Sequence, residues 1–135
     1  MAQERGAEVE TGGLLLGQID PASRVAWVTE AQGLPAGSAA SAEALVLDPA
    51  AARQATDDRR FRTRRLVEFI GAWHTHPWAA ARPSSDDERA MAEMAAANGA
   101  PVLMVIFGND GSDRWNRWLG GRGRTDWYAR LYFPA

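Results

Sequence analysis

The two histidines of this 135-residue chain, His74 and His76, are the residues best placed for chemistry. They end an apolar segment that predicts a β-strand from Leu66 to His76. Side chains at positions i and i+2 point to the same face of a strand, so both imidazoles can reach one metal ion. Ser84 and Asp87 follow at the start of a predicted helix and share one helix face, because they are three residues apart. Two imidazoles and a carboxylate, with the fourth position left to water, are typical of a catalytic zinc site.

Two tryptophans flank the histidine pair and bear on how a substrate would approach it. Trp73 precedes the first histidine within the strand and is interpreted as a core residue. Trp78 lies in the loop after the pair, where it is either a wall of a substrate channel or an ordinary loop residue. Thr75, between the histidines, is expected on the opposite strand face and receives no chemical role.

Two separate segments of the sequence resemble one known motif. The pattern His74-x-His76, followed by Ser84 and Asp87, resembles the JAMM motif of the MPN-domain zinc metalloproteases. The segment E-T-G-G-L-L-L-G, which begins at Glu10, is similar to the part of that family which carries an upstream glutamate. Alone, Glu10 would be interpreted as a solvated carboxylate. The resemblance covers about residues 8–107 and is strongest to the short bacterial, Prok-JAB-like branch, in which E-T-G-G-L-L-L-G and W-H-T-H-P recur.

The resemblance implies a fold and a role for each motif residue. The implied fold is a single α/β MPN domain, cytidine-deaminase-like, with a mixed sheet of about six strands flanked by two principal helices. His74, His76 and Asp87 would hold one zinc ion per chain. Glu10 would act as general base and Ser84 would assist the oxyanion.

The implied activity is that of a zinc-dependent isopeptidase or peptidase of the deubiquitinase-like type. It would remove a ubiquitin-like protein from its conjugate or process that protein's C-terminal glycine tail, with E1-like and E2-like operon partners. Alternatives are the processing of a sulfur-carrier protein and a non-catalytic MPN scaffold that binds partner proteins. A DNA-repair-associated relative is disfavoured by the acidic balance, and a homodimer stays open.

Composition narrows the class of protein further. The length of 135 residues suits one domain over residues 1–135, with residues 1–8 as a loose lead-in. The absence of cysteine excludes disulfides and thiolate metal sites. With a net charge of −2 and no apolar run of about 18 residues, we expect neither a nucleic acid nor a membrane as partner. The first ten residues are polar, which favours a cytoplasmic location.

Periodicity and turn residues predict the elements that must position the site. The six predicted strands span Gly12–Ile19, Arg24–Ala31, Leu66–His76, Val102–Phe107, Arg114–Leu119 and Asp126–Phe133, and Glu43–Leu47 is a candidate for a further short strand. The predicted helices span Pro49–Arg65 and Ser84–Asn98. In the second helix, Ser85 and Glu88 fit a capping box, and Ser85 is interpreted as the better cap than Ser84.

A basic cluster marks the end of the first predicted helix. All fifteen basic residues of the chain are arginine, and five of them lie between positions 59 and 65: Arg59, Arg60, Arg62, Arg64 and Arg65. The cluster is interpreted as a solvated helix end, and the alternative is a dock for an acidic partner.

Overall fold

The computed structural model describes residues 12–33, 49–76, 79–109 and 125–135. Within these ranges the chain forms five strands and two helices. In chain order they are β1 (Gly12–Asp20), β2 (Val25–Gly33), α1 (Pro49–Arg62), β3 (Glu68–His76), α2 (Ser85–Asn98), β4 (Val102–Asn109) and β5 (Thr125–Tyr132). The mixed α/β class expected from the sequence is confirmed.

The predicted strand Arg114–Leu119 and the candidate strand Glu43–Leu47 lie outside the described residues. The five described strands form one sheet in the order β2-β1-β3-β4-β5. Neighbouring strands run antiparallel, except that β3 and β4 are parallel. A parallel pair requires a crossover connection, and α2 lies within that connection. As a result, the histidines end β3 just before the chain enters α2.

The core lies on both faces of the sheet. On one face, strand side chains pack against α2 through Met91, Met94 and Ala95, and Leu16, Met104 and Ile106 there are fully buried. On the other face, Leu15, Ile70 and Leu103 form a smaller buried cluster. Neither described helix is long and apolar enough to cross a membrane.

The first helix ends earlier than predicted. It stops at Arg62 instead of Arg65, because Arg64 and Arg65 adopt left-handed backbone conformations with φ of 52° and 67°. Thr63 holds this helix end, since its hydroxyl donates to the carbonyl of Arg59 at 2.6 Å and accepts from the amide of Val67 at 2.9 Å.

The cap of the second helix also differs from the prediction, and the Ser85–Glu88 box was wrong. Ser84 is the N-cap, and its hydroxyl oxygen accepts from the amide of Asp87 at 3.0 Å. In return, Oδ2 of Asp87 accepts from the amide of Ser84 at 2.9 Å, which completes the capping box. The predicted stop is observed at Gly99, whose left-handed φ of 68° allows its amide to donate to Ala95.

Candidate metal centre

The two imidazoles converge at the end of β3. His74 and His76 project from the same face of the strand, and their Nε2 atoms are 3.1 Å apart. Their ring centroids are 4.9 Å apart with the planes tilted by 51°. The nitrogen lone pairs can therefore aim at one point between the rings, as the spacing in the sequence predicts.

Asp87 brings a carboxylate oxygen to the same point from the first turn of α2. Its Oδ2 lies 3.5 Å from Nε2 of His74 and 3.5 Å from Nε2 of His76. Ligand atoms that sit 2.0–2.1 Å from a tetrahedral zinc ion are about 3.3–3.4 Å apart. The three ligand atoms form a triangle of this size, so the donor set fits zinc in both chemistry and spacing.

The centre is shielded from water. His74 and Asp87 are both 4% exposed, and the His76 side chain is 11% exposed. A carboxylate buried to this extent requires a compensating positive charge or several hydrogen bonds. Among the described residues, these three are the one group of His, Asp and Glu side chains whose ligand atoms lie close enough together to hold a metal ion.

A backbone carbonyl sets the tautomer of His76, a contact that was not among the predicted features of the site. Nδ1 of His76 lies 3.3 Å from the carbonyl oxygen of Ala80. A carbonyl only accepts, so Nδ1 must carry the hydrogen, which leaves Nε2 with its lone pair free for a metal. The segment that carries this carbonyl packs closely against Gly108, which is paired with His76 in the register of β3 and β4. A glycine inside a strand pattern is the signal that could have indicated such an approach.

Ser84 lies beside the centre and is exposed to solvent. Its hydroxyl oxygen accepts a hydrogen bond from the amide of Asp87, and its hydroxyl hydrogen can still be donated to another group. The cap role and a donor role are therefore compatible in one side chain.

Two predicted site residues, Glu10 and Trp78, lie outside the described residues. The nearest described residue after Glu10 is Gly12, which pairs with His74 across β1 and β3. Trp73 is partly buried, packs against the smaller cluster and donates from Nε1 to the carbonyl of Gln32 at 3.1 Å.

Comparison with known proteins places the chain in a family. Residues 1–119 match the family described as prokaryotic homologs of the JAB domain, Prok-JAB. The chain is 34% identical over 104 residues to the CD-NTase/cGAS isopeptidase of Enterobacter hormaechei subsp. hoffmannii (strain UCI 50). This alignment covers 75% of the chain and 56% of the relative, so the chain spans little more than half the length of that protein.

The fold recurs in a solved structure as well. The chain is similar to the solution structure of protein DSY2949 from Desulfitobacterium hafniense, with a TM-score of 0.55 and 22% sequence identity. The similarity covers 96% of this chain and 78% of the other chain. At this identity the likeness concerns the fold alone. The resemblance found in the sequence is confirmed by the family match: the chain belongs to the prokaryotic homologs of the JAB domain.

Proposed function

We propose that this chain is a zinc-dependent isopeptidase or peptidase, which removes a ubiquitin-like protein from its conjugate or processes that protein's C-terminal tail. The observation that carries the proposal is the convergence of two Nε2 atoms and one carboxylate oxygen, 3.1–3.5 Å apart, at a buried sheet end. His74, His76 and Asp87 would hold the ion. Bound zinc would supply Lewis acidity and a water of lowered pKa.

Ser84 and Glu10 are the residues of this chain that we assign to the hydrolysis. The Ser84 hydroxyl would donate its hydrogen to the oxyanion that develops from the scissile carbonyl. Glu10 would accept the proton of the attacking water and return it to the leaving amine. Covalent geometry supports this assignment, because two residues extend at most about 7 Å. Glu10 is two residues before Gly12, and Gly12 pairs with His74.

The substrate class is inferred from the relatives. A relative of the chain is named CD-NTase/cGAS isopeptidase. The first substrate to test is therefore a CD-NTase conjugated to a ubiquitin-like protein. A C-terminal glycine tail has no bulky side chains and can extend along a sheet edge as an added strand. A sulfur-carrier protein has the same kind of tail and is the second substrate to test.

The first experiment concerns the metal. Inductively coupled plasma mass spectrometry should find about one zinc ion per purified chain, because three protein ligands and an open position form one catalytic zinc site. Asp87→Ala should lose the zinc, while Asp86→Ala, a neighbouring change with the same loss of charge, should keep it. Zinc retained by Asp87→Ala would contradict the ligand assignment.

The second experiment concerns the chemistry. A ubiquitin-like protein conjugated to a CD-NTase, and a fusion that carries a sulfur-carrier protein, are each incubated with zinc-loaded chain, and cleavage is followed by mass spectrometry. Glu10→Gln should keep zinc and lower the turnover at least about 100-fold, since a general base contributes that much. Glu8→Gln is the matched control and should remain active. If zinc-loaded chain cleaves neither substrate, and if zinc chelators do not weaken its binding to partner proteins, the chain is a non-catalytic scaffold instead.

A further inference from the structure

The end of α1 and the turn that follows it, residues 60–66, carry four arginines, and the described residues neutralise only two of them. We name this surface the basic turn. Arg59, just before it, is paired with Glu30 at 2.9 Å. Within it, Arg60 is paired with Asp57 at 3.9 Å and Arg62 with Asp58 at 3.1 Å. Arg64 and Arg65 are exposed, and neither forms an ion pair with any residue that the structure describes. The chain as a whole carries a charge of −2, so this positive surface is local.

The same surface exposes apolar side chains. Phe61 is 87% exposed and Leu66 is 65% exposed. Packing within the fold therefore does not account for an apolar residue at either position. Phe61 lines an open cavity of about 590 Å³ together with Arg60, Arg64 and Arg65. Two aspartates complete the lining of this cavity. An exposed aromatic ring with arginines beside it matches the composition of protein interface hot spots, in which aromatic residues and arginine are enriched.

The backbone of the basic turn is held in an unfavourable conformation. Arg64 and Arg65 have φ of 52° and 67°, a region that glycine and asparagine prefer and that is uncommon for arginine. Hydrogen bonds of Thr63 to Arg59 and Val67 hold the turn in place. Complementing the helix dipole explains arginines in the last turn of α1, but it does not explain two arginines beyond the helix end.

We infer that the basic turn docks an acidic segment of a partner protein, in which carboxylates flank an apolar side chain. The carboxylates would pair with Arg64 and Arg65, and the apolar side chain would cover Phe61. Phe61 and Leu66 give the surface exposed apolar area that a phosphate backbone would not cover, which favours a protein partner. Asp57 and Asp58, which line the same cavity, form ion pairs with arginines of α1. This inference goes beyond the proposed function and does not depend on it.

The location keeps the docked partner away from the metal centre. Strand β3 begins at Glu68, two residues after the basic turn, and ends at His76. Eight residue steps of a strand span about 26 Å. A partner on the basic turn would therefore leave the metal centre open to substrate, so docking and cleavage can occur together.

The test uses a fluorescein-labelled peptide, Asp-Glu-Asp-Leu-Phe-Asp-Glu-Asp, titrated with the whole chain and followed by anisotropy. A second peptide has Ser-Ser in place of Leu-Phe, and a third has lysine at every acidic position. The acidic apolar peptide should bind at least about tenfold more tightly than either control. Equal binding of the first two peptides, or no binding of the first, would overturn the inference. Tighter binding of a 20-nucleotide oligothymidine, or of phosphatidylserine vesicles, would overturn it too.

Variants separate docking from folding. The double variant Arg64→Gly/Arg65→Gly should weaken peptide binding at least about tenfold without lowering the melting temperature, because glycine tolerates both left-handed positions. Phe61→Ser should weaken binding while the charge stays the same. Arg89→Glu, a charge reversal at an exposed position of α2, is the matched control and should bind within about twofold. Unchanged binding by the double glycine variant would refute the assignment of Arg64 and Arg65.

Discussion

Gly108 is expected to control the metal centre although it carries no functional group. It lies in β4 opposite His76, and a Cβ atom at this position would be 2.4 Å from the amide nitrogen of Ala81 and 2.7 Å from the carbonyl oxygen of Ala79. Tight contacts of real Cβ atoms lie at 3.0–3.4 Å, so Gly108→Ala must displace the loop by about 0.6–1.0 Å, which is the difference between 2.4 Å and that range.

This displacement acts on the hydrogen bond that orients His76. The Nδ1 atom of His76 lies 3.3 Å from the carbonyl oxygen of Ala80, which is close to the limit for a hydrogen bond. A shift of about 0.6–1.0 Å breaks this hydrogen bond, so the Ala80 carbonyl no longer fixes the tautomer of the His76 ring. Loss of such an outer contact typically lowers metal affinity 10–100-fold, or about 1.4–2.8 kcal/mol. The added methyl group should also destabilise the metal-free fold by about 1–3 kcal/mol.

The assay for Gly108→Ala is competition for zinc against a chromophoric chelator, with urea unfolding of the metal-free chain measured in parallel. Gly33→Ala is the matched control, because a Cβ atom at Gly33 meets nothing within 4 Å. The control should bind zinc like the parent. If Gly108→Ala also binds zinc within about twofold of the parent, the reasoning from the Ala80 carbonyl is refuted.

Three further predictions concern stability. Ser84→Ala should cost about 1 kcal/mol of unfolding free energy through loss of the N-cap, whereas Ser85→Ala should cost less than about 0.5 kcal/mol, as urea titrations would show. The hydrogen bond from Arg59 lowers the pKa of Glu30 below its usual 4.5. The folded state thus favours the ionised carboxylate, and this contribution to stability is lost as the pH falls from 4.5 through the lowered pKa. In a plot of melting temperature against pH, Glu30→Gln should therefore show a shallower decrease on the acid side. Burial raises the pKa of Tyr132 from 10.0 to about 12, so stability should fall as the pH rises from 10 to 12, and Tyr132→Phe should reduce that fall.

The part of the site that follows from local periodicity could be predicted from the sequence. His74 and His76 share a face because strand side chains alternate, and this rule holds whatever the rest of the chain does. Asp87 could be predicted as the third member of the candidate metal site only by its motif and its place in the first turn of a helix. The long β3 and α2 patterns are similarly local, which explains why both elements appear where they were expected.

The contacts that depend on distant segments could not be predicted. The Ala80 carbonyl meets His76 only because β4 runs beside β3 and Gly108 leaves room for the loop. Nothing in the residue type of Arg64 or Arg65 signals a left-handed backbone, so the predicted end of α1 was three residues too late. Long-range packing determines the first feature, and a single sequence does not display it. The second is held by hydrogen bonds of Thr63 to Arg59 and Val67, which helix periodicity does not indicate.

The misplaced cap shows how the site itself determines local structure. Local chemistry favours Ser85-x-x-Glu88, because the usual capping box has glutamate or glutamine at its last position, yet the helix begins with Ser84-x-x-Asp87. The observed pattern places Asp87 inward, where its Oδ2 faces both imidazoles and also accepts from the amide of Ser84 at 2.9 Å. One carboxylate oxygen thus closes the helix start and completes the triangle of candidate ligand atoms. Because the amide of Ser84 holds this oxygen beside both imidazoles, we expect the candidate ligands to be preorganised and metal binding to require little folding of α2.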